Sequence, residues 1–369
     1  MAARRVTRVL WLVGLLAAGC AGNGAAGGGA AGQPGSAGAG ASSSAGGSAA
    51  GAAGAVPSAG GAGAAGVPSM EGAAGSPIGG DAGGDAADAA RTDAAAVQPV
   101  VEVMTFNLRH GDAPDGDDAW EFRKPLAFDV FTRHAADLIG TQEGIEPQLA
   151  DIDRAVAGYM RIGVGRTHGT KRGEYSAIYY RVDRFAVDAS GTFWLSDTPE
   201  VAGSTSWGNT IPRICTWGHF VDKATGYGLY LFNVHLDHVS QPSREKGVAL
   251  MMKRAAARPK AGDPVIVTGD FNAGEENLAI RFMKGQATVD GAPNPLPLVD
   301  SFRALYPDET AVRTSAGFGS GATTGAKIDY IFIGAGTTAT AAAIDRTNVA
   351  GRYPSDHYPV TATLRLPPR

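Results

Sequence analysis

From Val100 onward the chain is a succession of short apolar runs closed by polar loops; before it there is no such rhythm. Val100-Glu-Val-Met-Thr-Phe-Asn-Leu108 predicts a strand entering a loop rich in Gly and Asp. Apolar residues at Leu126, Val130 and Phe131 then have helical spacing, and Asp137–Gly140 returns to strand. Further strands are predicted at Tyr175–Tyr180, Phe185–Asp188, Cys215–Val221, Leu229–Val234, Val265–Thr268, Ile328–Ile333 and Val360–Leu366, with helices at Pro147–Ala157 and Ser243–Ala257. Some strands are linked by helices and others by short turns, at Ala189-Ser190-Gly191 and Thr225-Gly226. That mixture predicts an α/β domain in which two mixed sheets pack face to face with helices outside.

Composition separates this domain from what precedes it. Of the 78 residues in 21–98, 51 are Ala or Gly and none is Phe, Tyr or Trp, so nothing offsets the entropy of ordering the backbone. The stretch reads as a disordered tether with a root-mean-square reach of roughly 50 Å. Residues 99–369 have ordinary globular composition, about 22% charged, for one large unit. Their net charge is about −3, without the basic excess of a strong non-specific nucleic-acid binder.

Residues 1–20 read as an export signal. Arg4, Arg5 and Arg8 precede an apolar run from Val9 to Ala18 that is too short to span a bilayer. The run ends Leu16-Ala17-Ala18-Gly19-Cys20, resembling a bacterial lipobox in which the Cys sulfur is acylated. Cys20 is therefore the expected lipidation site, anchoring a monomer to the outer membrane or cell surface. The alternative is an ordinary secretory signal cleaved nearby. Cys215 is the only other cysteine, so with Cys20 lipidated no intrachain disulfide is available.

Polar residues gather where strands meet loops: Asn107, Glu143, His235, Asp237, Asp270, Asn272, Asp329, Asp356 and His357. Any one alone reads as a turn former. Together, acids and amides converging on one cleft supply hard oxygen ligands for Mg²⁺ or Mn²⁺, and histidines add proton transfer or phosphate contacts. There is no zinc-type Cys/His spacing, Lys-bearing phosphate loop or Gly-x-Ser-x-Gly elbow. Metal-assisted attack of water on a phosphate ester fits best.

Eight blocks carry a resemblance: Met104-Thr-Phe-Asn107-Leu-Arg109, Gly140-Thr-Gln-Glu143, Tyr175-Ser-Ala-Ile-Tyr-Tyr-Arg181, Pro212-Arg213-Ile-Cys-Thr-Trp217, Asn233-Val-His235-Leu-Asp237-His238, Gly269-Asp270-Phe-Asn272, Lys327-Ile-Asp329-Tyr-Ile331 and Ser355-Asp356-His357-Tyr-Pro-Val360. In this order they resemble the endonuclease/exonuclease/phosphatase superfamily, which implies the four-layer α/β/β/α sandwich of deoxyribonuclease I. The resemblance makes Glu143 the principal metal carboxylate, with Asn107 as ligand or positioning amide and Asp356 as a second metal-side acid. It makes Asp270 the group that orients or deprotonates water, and Asn272 the holder of a phosphoryl oxygen. His357 would face the scissile phosphate, kept protonated by Asp329. His235 would stand near the leaving group, with Glu174 the candidate to pair with it on spacing alone. Arg109 and Arg213 would be phosphate forks.

Substrate is left open. A phosphodiester comes first, nucleic acid slightly ahead of a lipid headgroup, with phosphomonoesters as an alternative and a non-catalytic surface binding module as a remote one. Asp237 and His238 are candidates to touch metal or support His235. Trp194 and Trp207 flank a loop, 195–208, that is either structural or a wall beside the substrate. His110, His134, His168 and His219 match no block and read as surface or packed residues.

Overall fold

The computed structural model describes residues 98–369. The expected leader, Cys20 and all but the last residue of the tether lie outside them. Fourteen strands and five α-helices follow in chain order. The first four strands are β1 (Val100–Asn107), β2 (Leu138–Gln142), β3 (Tyr159–Ile162) and β4 (Ile178–Arg181). Next come β5 (Phe185–Trp194), β6 (Ile214–Asp222), β7 (Gly228–His235) and β8 (Val265–Asp270). After the short β9 (Thr288–Val289), β10 (Ala292–Pro293) and β11 (Val299–Asp300) come β12 (Asp329–Ile333), β13 (Thr338–Ile344) and β14 (Val360–Arg365). The helices are α1 (Trp120–His134), α2 (Glu146–Ala155), α3 (Gln241–Ala256), α4 (Leu278–Met283) and α5 (Ser301–Leu305). Among the described residues no helix is long and apolar enough to cross a membrane.

Two six-stranded sheets form, ordered β13-β14-β1-β2-β4-β3 and β11-β12-β8-β7-β6-β5. Both are mixed: β1 runs parallel to β2, β7 parallel to β8, and their other pairs are antiparallel. Three buried clusters account for four layers. Val101, Val103, Leu138, Leu231, Ile266 and Ile331 pack between the sheets. Met104, Phe106 and Ile139 face Val130 and Phe131 of α1 and Leu149 of α2. Phe232, Val234 and Val267 face Val248 and Met251 of α3 and Ile280 of α4. Each such side chain contributes roughly 1.5–3 kcal/mol when fully buried.

Part of the seam between the sheets is polar. Gln142 Nε2 donates to Asn233 Oδ1 (2.7 Å) and Thr105 Oγ1 (3.0 Å), and Thr268 Oγ1 donates to the same Asn233 oxygen (3.1 Å). Asn233 Nδ2 in turn donates to the carbonyls of Thr141 (2.8 Å) and Ala177 (2.9 Å). Unlike apolar contact, these directional bonds fix one sliding register between the sheets. Gly140 permits the approach: a Cβ there would lie 2.2 Å from Thr268 Oγ1 and 2.5 Å from Asn233 Oδ1.

Two expectations change. Ala189-Ser190-Gly191 is not a turn; β5 runs through it to Trp194, its register shifting between Val187 and Ala189 as an edge-strand bulge. Asp329 opens its strand, so Ile328 falls outside the strand predicted at Ile328–Ile333. Cys215 is buried and free, its thiol pushed well up by burial.

Candidate active site

The sheet registers bring one rim together. Parallel pairing aligns Asn107 with Gln142 and His235 with Asp270 at their strand ends. Antiparallel pairing sets Asp329 opposite Asp270 and leads Ser355–His357 to the same rim, because Val360 pairs with Thr105. Arg109, Glu143, Arg213, His235, Asp270, Asn272, Asp356 and His357 line a single cavity of about 400 Å³, with Glu174 beside them. Asn107 and Asp329 stand behind it and bond to its acids and histidine.

Asn107 joins the halves. Its Nδ2 donates to Glu143 Oε1 (3.0 Å) and Asp270 Oδ2 (2.9 Å), while its Oδ1 accepts from the Arg109 backbone (2.9 Å). In this orientation Asn107 takes the positioning role, one of the two expected from sequence. Glu143 Oε2 accepts from the His110 N–H at 2.9 Å. Burial opposes charge on Glu143, but the Asn107 amide, His357 and this N–H hold its carboxyl below the usual range. Arg109, Glu143 and Asn272 all have left-handed backbones, φ 57°, 61° and 46°. Such conformations cost roughly 1–3 kcal/mol each and are retained where surrounding structure over-determines them.

Asp270 Oδ1 accepts from the Asn272 backbone (2.8 Å), and Asn272 Nδ2 donates to the Leu236 carbonyl (3.1 Å). Burial and the nearby Asp329 carboxylate push the Asp270 pKa up. His357 Nδ1 lies 2.9 Å from Asp329 Oδ2 and its Nε2 lies 3.9 Å from Asp270 Oδ2. Burial works against a charged His357, yet Asp329 overrides it and raises the pKa well above the ordinary value. His235 is the reverse: burial, then Arg213 and Arg166, hold it well down, so the ring is neutral. Asp356 is pushed up by burial and by Glu143.

Three expected pairings come out differently. Glu174 does not hydrogen-bond His235; its oxygen stands 3.7 Å from Nδ1, and both carboxylate oxygens accept from Arg166 at 2.6 and 2.7 Å. The Arg109 fork is not open to phosphate; Nε and Nη2 hold Asp115 (3.0 and 2.8 Å), leaving Nη1 3.6 Å from Asp356. Asp237 does not support His235: it pairs with Arg213 Nε (3.3 Å) and caps the backbone of Val239 and Ser240. Arg213, 3% exposed, also donates through Nη2 to His238 Nδ1 (2.8 Å), while its buried Nη1 has no protein partner. A guanidinium N–H left unpaired beside the cavity suits the fork expected there.

Arg166, His110 and Ile211 line the cavity and were missed by sequence reading. The sequence signal for Arg166 is its glycine-rich segment, Gly163 to Gly173, just before Glu174. Buried Arg123 was also missed; it donates to the carbonyls of Leu108, Arg109 and Pro354 and ties two site loops together. Trp194 and Trp207 are structural, their indole N–H groups donating to the Arg166 carbonyl (2.7 Å) and to Asp197 (2.8 Å). His134 and His219 pair with acids away from the cavity, and His168 contacts Arg172.

The residues fit a hard divalent cation. Ligand atoms of Glu143, His235 and Asp270 lie within 4.8 Å of one another; those of Asp270, Asp329 and His357 do too, but there the charged His357 ring already engages Asp329 and is no ligand. Glu143 is ionised, each of its oxygens receives one donor, and lone pairs remain for a cation. Asp356 belongs to neither group of three and faces Arg109 instead.

Acids and a protonated histidine from two sheets, closing on one small polar cavity, define a hydrolase of phosphate esters. The chain belongs to the Endonuclease/Exonuclease/phosphatase family, whose model matches residues 104–357. Its structure is similar to that of the mannosyl-6-phosphatase of Bacteroides thetaiotaomicron, at 34% identity over 72% of this chain and 99% of that one, TM-score 0.64. A second family protein from that organism is 32% identical over 73% and 98%, TM-score 0.64. The human Nocturnin catalytic domain with bound sulfate, 18% identical over 72% and 94% with TM-score 0.55, shares the fold. No curated protein matches the chain.

Proposed function

We propose that this protein is an exported, Mg²⁺- or Mn²⁺-dependent phosphomonoesterase. The cavity carries the reading: of its thirteen lining residues only Ile211 is apolar, and none is Phe, Tyr or Trp. A nuclease binds bases on aromatic faces and tracks the backbone along basic surface. A cavity of this size, on a domain of charge about −3, suits a small ester with one organic arm. The similarity to a mannosyl-6-phosphatase supports the same choice over the phosphodiester that sequence placed first.

Glu143, with Asp270 and Asp356 beside it, would hold the cation, which would supply charge neutralisation to the phosphate oxygens when bound. Asp270, fixed by Asn107 and the Asn272 N–H, orients water and takes its proton. His357, kept charged by Asp329, donates to a phosphoryl oxygen, and the free Arg213 Nη1 and the Asn272 amide hold others. His235 is neutral in the free protein and orients the leaving oxygen.

The full-length protein is expected to cleave p-nitrophenyl phosphate at least tenfold faster than bis-p-nitrophenyl phosphate, plasmid DNA or sphingomyelin, and to lose all activity in EDTA. Faster cleavage of any diester would overturn the monoester reading; activity insensitive to EDTA would overturn the metal. Location rests on the leader: Arg4, Arg5 and Arg8, the apolar run and Cys20 support a lipid-anchored surface protein. Cys20→Ser is expected to abolish palmitate labelling and release the protein from membranes. Continued labelling would refute Cys20 as the anchor.

A further inference from the structure

The catalytic cavity has a wall that the hydrolytic reaction does not use. Arg166, Glu174 and His238 line it, with Ile211 the one apolar contact. Arg166 gives two of its five N–H donors to Glu174, one to each carboxylate oxygen, and keeps three. Glu174 keeps lone pairs. His238 is exposed, and its Nδ1 lies 2.8 Å from Arg213 Nη2. A guanidinium only donates, so Nδ1 is the acceptor and the ring proton is assigned to Nε2, as a further donor.

Charge decides what this wall suits. Arg166 is compensated by Glu174 and Arg213 by Asp237, so donors and acceptors alternate on a surface with no uncompensated cation. A second anionic group would find no net attraction here. A nucleobase would find no Phe, Tyr or Trp ring to stack on, because the Trp194 indole N–H is engaged with the Arg166 carbonyl and the indole is absent from the lining. Neutral hydroxyls both donate and accept, and adjacent hydroxyls match a fork paired with a carboxylate.

We propose that Arg166, Glu174 and His238 form a leaving-group subsite that reads the hydroxyls of a glycosyl or polyol unit, making them specificity-determining residues. This rests on the monoesterase reading above. Discrimination follows because a substrate lacking the hydroxyls leaves the remaining donors and acceptors of the largely buried Arg166–Glu174 pair without partners.

The test compares mannose 6-phosphate with n-hexyl phosphate, a monoester of similar length without hydroxyls, using the full-length protein. The wild type is expected to prefer mannose 6-phosphate at least tenfold in kcat/KM. Arg166→Lys keeps a cation against Glu174 but removes the planar fork; it should lower the mannose 6-phosphate value about tenfold, mainly through KM, and leave hexyl phosphate within twofold. His238→Gln, whose amide oxygen still accepts from Arg213, should shift the ratio in the same direction and, at an exposed position, is expected to fold. Equal wild-type rates on the two monoesters, or equal losses on both in each variant, would overturn the subsite and leave the monoesterase intact. Bis-p-nitrophenyl phosphate cleaved faster than either monoester would overturn both.

Discussion

Asp270→Asn is expected to lower kcat by about 10³-fold, roughly 4 kcal/mol of barrier, with the fold unchanged. In the proposed mechanism this side chain, held by the Asn107 amide and the Asn272 N–H, takes the proton of water, and an amide in its place accepts no proton. Stability is expected to move the other way. The Asp270 pKa is raised in the folded protein by burial and the Asp329 carboxylate. A group raised on folding stabilises the fold at pH values below its unfolded pKa, and that contribution is lost as pH rises through the folded one. In EDTA at pH 8 the variant should therefore melt at or above the wild-type temperature by circular dichroism. A residual rate above a tenth of wild type, a loss under ~1.4 kcal/mol, would show that Asp270 is not the base.

Gly140→Ala should cost about 3 kcal/mol, through overpacking and loss of the seam hydrogen bonds. The added Cβ meets Thr268 Oγ1 and Asn233 Oδ1, which bond to each other, so neither yields without breaking the network. For a domain of this size the melting temperature should fall by about 6–12 °C. Glu143 belongs to one sheet and His235 and Asp270 to the other, so turnover should fall as well, even well below the melting temperature. A shift under about 2 °C would mean that the sheets adjust freely and the seam does not set their register.

Strands on fully buried rows were legible: Val265–Thr268 and Leu229–Val234 are largely apolar on both faces, a pattern that survives without knowledge of the fold, and the observed strands extend them to Asp270 and His235. β13 was not. Thr-Ala-Thr-Ala-Ala-Ala-Ile carries little apolar contrast, and its pairing with β14 makes it a strand. In β5, Asp188 to Gly191 has the composition of a turn, yet an edge strand can hold small and polar residues facing water. The site followed the same division. Acids and histidines in the family motifs lie within bonding reach because the motifs are strand ends. Partners chosen by side chains crossing the cavity left no local trace: Arg166 lies eight residues before Glu174 and captures the carboxylate that spacing had offered to His235. Asp115 captures the Arg109 fork in the same way.

The three left-handed residues of the rim set heat resistance against turnover. At Glu143 and Asn272, glycine would relax the backbone while deleting a carboxylate or amide that the proposed chemistry uses, and at Arg109 it would delete the guanidinium that holds Asp115 and stands beside Asp356. Ala135 and Asp290 share the conformation away from the cavity, and there relaxation carries no such penalty. Selection for thermal survival alone would therefore be free to improve this enzyme at Ala135 and Asp290, and would erase it at the other three.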